Sequence, residues 1–211
     1  MRLGPALSCL LVLVVPQFGC KSMLYPLARA FGSPSEGELK RCRATFEQFK
    51  SQRGTARIVV HSALDPRGPQ GAWEPRTADQ LVALMQQQGM PHAVPVPAPK
   101  DIDPTPLGAN QMRYTWKRAH AYADWIRRTR PEGDFFVFVE LLRHPAGEIV
   151  GIQTYVLAAS GDIAYARQLN SHQFGRPAIS DPQSAIDFLH GVLQSALSRP
   201  ADAVFPPYGV G

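Results

Sequence analysis

Asn170-Ser171-His172 places an amide, a hydroxyl and an imidazole on three successive residues at the end of an apolar stretch. At a strand end such groups bind a ligand or orient a base. They can equally cap a chain reversal through side-chain to backbone bonds. Paired with a carboxylate such as Glu140, His172 would supply a small hydrolase with its general base. Metal binding asks for several converging ligands. The six histidines, at 61, 92, 120, 144, 172 and 190, show no HxH, HExxH or CxxC arrangement with one another or with the cysteines. His120 and Asp124, four apart in a helical stretch, read as a surface i,i+4 pair. Asp101 and Asp103, flanked by prolines, read as a solvated loop. There is no G-x-S-x-G elbow and no phosphate-cradling glycine loop. The sequence assigns no catalytic residue, no cofactor and no metal, and leaves Asn170, Ser171 and His172 as the one polar cluster to inspect.

The cysteines divide by position. Arg2 precedes an apolar run from Ala6 to Val15, followed by Pro16 and Gly19-Cys20. That is the order of an export signal, and a run of about ten residues is far short of the roughly 20 that span a bilayer. Ending on Gly-Cys, the segment resembles a bacterial lipoprotein signal, in which Cys20 is lipidated and becomes the mature N-terminus. Gln17 and Phe18 stand where such signals usually carry Leu and a small residue. Ala28-Arg29-Ala30 offers an alternative cleavage site for a soluble export signal. Lys21 follows the cysteine where an aspartate would have indicated inner-membrane retention, so by this resemblance the outer membrane, facing the periplasm, is favoured. Cys9 leaves with the signal. Cys42 falls on the stripe Leu39, Cys42, Phe46, Phe49, the buried side of a helix, where free cysteine acts as a small hydrophobe.

Composition sets the scale of what these residues can serve. Apolar residues make up 45% and charged residues 18% of the chain, the balance of a globular protein. Residues 1–19 read as signal peptide, 20–34 as tether, 35–199 as a single domain and 200–211 as an irregular tail. A domain of this length buries a core without disulfides. The signal holds Arg2 and no acid, which leaves 21 basic and 17 acidic residues. That excess is too small for a dedicated nucleic-acid binder.

The elements that must position these groups follow from patterning. Ser35-x-x-Glu38 is a capping box for a helix to about Gln52. Ala56–Leu64 is a β-branched strand closed by the turn residues Asp65 to Gly71. Thr77-x-x-Gln80 reads as a second capping box, for a helix ended by Gly89. Six prolines between Met90 and Pro106 restrict Ala93–Val96 to a short edge strand. From about Asn110 to Arg128, the residues Met112, Trp116, Ala119, Ala123 and Ile126 form an apolar stripe. Arg113, Lys117, Arg118 and Arg127 then read as a solvated basic face, with Arg128 and Arg130 near the helix C-terminus. Phe135–Leu142, Ile149–Leu157 and Ile163–Leu169 form consecutive hairpins, and Ser180-Asp-Pro-Gln183 opens the last helix.

The resulting order, an N-terminal helix and then β-α-β-α-β-β-β-α, predicts an α/β (α+β) domain with one mixed sheet and helices packed on it. With Asp134-Phe-Phe-Val-Phe-Val-Glu140 before a hairpin and Tyr155-Val-Leu-Ala-Ala-Ser-Gly-Asp162 running into a turn, it resembles the small α/β domain of several envelope proteins. These are the TolB amino-terminal domain, the curli-secretion lipoprotein and the lipoprotein activators of penicillin-binding proteins. The resemblance implies a lipid-anchored, non-enzymatic interaction module in cell-wall, secretion or envelope assembly. Its partners would be the membrane and an envelope protein, with no nucleic acid. The small hydrolase using His172 and Glu140, and an oligomer-forming structural lipoprotein, remain the alternatives.

Overall fold

The computed structural model describes residues 34–65, 73–74, 76–97, 99, 101–102, 111–143, 148–170, 179 and 181–204. Helix α1 (Glu36–Gln52) starts at the expected capping box: the Glu38 N–H donates to Ser35 Oγ at 3.2 Å, and Glu38 Oε2 accepts from the Ser35 N–H at 3.3 Å. Two backbone donors that a helix start leaves unpaired are thereby satisfied. The strand expected over 56–64 divides into β1 (Ile58–His61) and β2 (Ala63–Leu64). Strand β3 (Trp73–Glu74) precedes helix α2 (Arg76–Gln87). Helix α2 ends at Gly89, whose φ of 82° suits glycine. The Gly89 N–H bonds to Gln86 O and the Met90 N–H to Met85 O, closing the helix in a Schellman arrangement.

Strand β4 (Ala93–Val96) is followed by helix α3 (Gln111–Thr129) and by the long strands β5 (Phe135–Arg143), β6 (Ile149–Ala158) and β7 (Ile163–Asn170). Helix α4 (Pro182–Leu197) opens on the Asp181 cap, whose Oδ1 accepts from the Ser184 N–H at 2.9 Å, and a single turn, α5 (Ala201–Val204), follows. This is the mixed α/β arrangement that the order of elements predicts, with two short strands added and with the α5 turn where the sequence reads an irregular tail.

All seven strand segments join one sheet. Strand β1 lies between β4 and β5 and runs parallel to both, with Val60 opposite Pro95 on one side and Val137 on the other. Pro95 can occupy β4 because β4 is an edge. Between the pairs Val60↔Val137 and Leu64↔Glu140 the β1–β2 line spends one residue more than β5, a bulge that interrupts it at Ser62. The hairpins β5–β6 and β6–β7 complete the sheet, the second turning at Gly161 with φ 79°. A Cβ at Gly161 would lie 2.9 Å from the Ala123 carbonyl, so the turn needs glycine to approach α3.

The registers fix which side chains share a face. Helix α3 covers the face carrying His61, Phe138, Glu140, Gln153 and Tyr155. On the opposite face, Phe46 and Phe49 of α1 pack on Tyr165 and Phe135, and α4 packs on β6 and on α2.

Two local expectations are corrected. Helix α2 begins before Thr77, whose hydroxyl donates to Glu74 O and accepts from the Ala63 N–H at 2.7 Å. Gln80 reaches across to Gln183 O and Asp187 instead of back to Thr77, so that capping box does not form. His120 and Asp124 do not pair either: His120 meets Glu38 at 2.8 Å, and Asp124 meets Arg127 at 3.0 Å.

Candidate functional site

Glu140 interrupts the apolar run of β5, and a buried charge in such a run requires an opposite charge and hydrogen-bond donors. Helix α3 supplies them. Arg118, read from the sequence as part of a solvated basic face, is only 2% exposed and its Nε lies 2.5 Å from Glu140 Oε1. The reason is helical rotation: Lys117 points to solvent, and one residue further the side chain turns toward the sheet. Tyr122 Oη donates to the same oxygen at 2.7 Å, and Tyr114 Oη to Oε2 at 3.3 Å. The spacing of Tyr114, Arg118 and Tyr122, four residues apart, stacks all three on one side of α3. The guanidinium also lies 5.8 Å from the Tyr114 ring and 6.0 Å from the Tyr122 ring, within cation–π range.

The polar row continues across the sheet. Gln153 stands opposite Glu140, and Gln168 opposite Gln153. Gln153 Nε2 donates to Gln168 Oε1 at 2.8 Å and to Thr115 Oγ1 at 3.1 Å, while its Oε1 accepts from Tyr155 Oη at 2.7 Å. Burial pushes the Glu140 carboxyl up from its ordinary value, opposed by Arg118 and by the Tyr122 hydroxyl. Burial also disfavours the Arg118 charge, but Glu140 together with Tyr122, Tyr114 and Tyr155 outweighs it and holds that pKa above the usual arginine value. Burial and the neighbouring Glu140 push Tyr114 up to about 12 and Tyr122 well above its ordinary value. The phenols therefore remain protonated donors.

Two further buried groups flank this network. The His61 ring stacks on Phe138 with centroids 4.5 Å apart and meets the edge of Trp125 at 5.5 Å. Its Nδ1 lies 3.1 Å from Pro97 O, which as a carbonyl can only accept, so Nδ1 carries the proton. Burial lowers its pKa to about 4, with the Pro97 bond acting the other way. Asp65, fully buried just beyond β2, holds Arg143 at the end of β5, Oδ2 to Nε 2.6 Å. His61 and Arg143 end β1 and β5 and Asp65 follows β2, at the end of the parallel strands where α/β sheets place ligands.

Of the residues singled out from the sequence, Glu140 is the one the structure places in this cluster. Asn170 ends β7 opposite Gly151, two register positions beyond Gln168, while Ser171, His172 and Cys20 lie outside the described residues. Asp101 is exposed and Asp103 lies outside them. Cys42 is buried, and burial pushes its thiol up to about 12. Among the described residues no group of three or more His, Cys, Asp or Glu side chains is placed to hold a metal ion.

Fold and site together define a small mixed α/β domain whose buried Glu140–Arg118 pair is closed beneath one helix. The sequence matches no protein-family model and no curated protein.

Proposed function

We propose that this chain is a lipid-anchored protein of the bacterial envelope, held at the outer membrane and facing the periplasm, whose α/β domain acts as a non-enzymatic interaction module. The observation that carries the binding reading over a hydrolytic one is the closure of Glu140. Glu140, the carboxylate offered as partner for His172 in the hydrolase reading, is fully buried and engaged by Arg118, Tyr122 and Tyr114. A substrate could not reach it without displacing α3. The anchor rests on the Arg2, Ala6–Val15, Gly19-Cys20 order. No helix among the described residues is long and apolar enough to cross a membrane. Residues 20–34, if extended, span at most about 50 Å, so the domain would work within that distance of the lipid. Position at the membrane is then part of what the module contributes to an envelope protein partner.

The test is the mass of the protein made in a bacterial host and the fate of its Cys20→Ser variant. The expected result is a mature chain beginning at Cys20 with added acyl mass. The variant should lose that mass together with any partner that copurifies from solubilised envelope. A native chain without acyl mass would refute the anchor. Unchanged partners in the variant would refute the claim that position matters.

A further inference from the structure

A groove lies on the face opposite α3, at the end of β7. Leu169 of β7, Phe188, Val192 and Ala196 of α4, and Val204 of α5 line its volume of about 330 Å³, the size of a small-ligand pocket. Its walls are fixed: Lys50 Nζ donates to Arg199 O at 2.8 Å, Glu47 Oε1 accepts from the Ala201 N–H at 2.9 Å, and Arg43 meets Asp202 at 3.2 Å. Two cations, Arg167 and Arg199, border the groove. Among the described residues neither guanidinium has a carboxylate within ion-pair distance. Asp187, the acid in the same lining, accepts from Gln80 Nε2 at 2.9 Å.

A second observation concerns Gly191, in the middle of α4. A helix-interior glycine costs roughly 0.5–1 kcal/mol relative to alanine. No packing requires one here, since a Cβ at Gly191 would meet nothing within 4 Å. Gly191 lines the groove, and what its missing side chain does is leave the mouth open.

From the apolar floor, the two arginines, which have no carboxylate partner among the described residues although Arg167 also bonds the Tyr165 hydroxyl, and the open mouth, we infer that this groove binds a small apolar anion, an aryl or short alkyl carboxylate. The apolar body sits over Leu169 and Val192, and the carboxylate meets Arg167 and Arg199, the geometry in which charge-assisted hydrogen bonds are strongest. This site is independent of Cys20 and of the buried Glu140 network.

The experiment is a ligand-observed NMR titration of the full chain in non-ionic detergent with 3-phenylpropionate and with its neutral counterpart, 3-phenylpropan-1-ol. The carboxylate should bind one saturable site with Kd on the order of 10⁻⁴ to 10⁻³ M, as its few heavy atoms allow. The alcohol should bind about tenfold more weakly. The double variant Arg167→Gln/Arg199→Gln should bring the carboxylate down to the level of the alcohol. Gly191→Leu should abolish binding of both without lowering the unfolding midpoint. Equal affinity for acid and alcohol, or indifference to either variant, would overturn the proposal. Binding that emerges only after deletion of residues 205–211 would make the groove a seat for the chain's own tail. Self-association abolished by Gly191→Leu, without carboxylate binding, would make it a seat for a second copy. Either result would overturn the small-anion reading.

Discussion

Beneath α3 the sheet presents His61, Phe138, Glu140, Gln153 and Tyr155, whereas its other face presents Ile58, Val60, Val137, Val139, Ile152 and Val156. All of these side chains are buried. The aliphatic face is held by close packing, which acts in every direction and tolerates conservative change. The face under α3 is held by partners at fixed angles: Arg118 on Glu140, Tyr122 on the same oxygen, Tyr155 on Gln153. A helix laid on aliphatic side chains can slide at little cost. A helix whose Arg118 must reach Glu140 cannot shift by one residue without leaving a buried charge unpaired. The polar face therefore specifies where α3 sits, and the apolar face supplies net stability. Buried pairs rarely add stability over well-packed apolar residues of similar size.

The largest effect that should separate the two faces comes from Arg118→Ala. It leaves Glu140 buried without its counter-charge and should cost about 3–5 kcal/mol, read from the denaturant midpoint. The pair Arg118→Met/Glu140→Leu removes both charges and should recover most of that loss. A double variant as unstable as the single one would show that bulk, not pairing, is what α3 needs there.

The next effect is pH dependence localised to His61. Its folded pKa is lowered to about 4 from the ordinary 6.5. Between those values the unfolded chain binds a proton that the folded chain does not. Stability is therefore at its full value above pH 6.5 and falls as the pH drops toward 4, by about 3 kcal/mol in total. His61→Phe keeps the stack on Phe138 and should flatten the profile over this window. A profile equally steep in the variant would assign the titration to other groups.

How far the sequence reveals these two faces depends on how local the deciding interaction is. The capping box at Ser35, the Gly89 and Asp181 helix ends, the Gly161 turn and the stripe through Cys42 and Phe46 are short-range features, and all are legible. The Thr77 box fails because its hydroxyl is taken by Ala63 and Glu74, residues a helix pattern does not consider. Charge alone groups Arg118 with Lys117 and Arg127, although its position lies toward Tyr114 and Tyr122 on the buried side. The usable signal was Glu140 itself. An acid inside Phe-Phe-Val-Phe-Val-Glu-Leu-Leu must be buried and must find a cation. Which cation it finds depends on α3 crossing β5, β6 and β7, and sheet order is set by contacts distant in sequence. The groove beside Gly191 was invisible for the same reason, since β7, α4 and α5 meet only in the fold.

The smallest effect tests whether the faces are independent. Ile152 lies in β6 next to Gln153 but on the aliphatic face, opposite Leu141 and Leu169. Ile152→Val removes one methylene and should cost about 1 kcal/mol, within the usual 0.5–1.5 for this change. Its cross-strand partners Leu141 and Leu169 are apolar, so the loss should be the same at pH 7 and at pH 5, measured by the same unfolding transition. A loss that grows at pH 5 would mean that relaxation around residue 152 reaches His61 through the backbone of β5. The sheet would then transmit strain between its faces, and the polar row would be tuned by the packing behind it. A constant loss would confine the directional bonds and the packing to separate roles, with α3 positioned by Glu140 alone among the charged groups of the sheet.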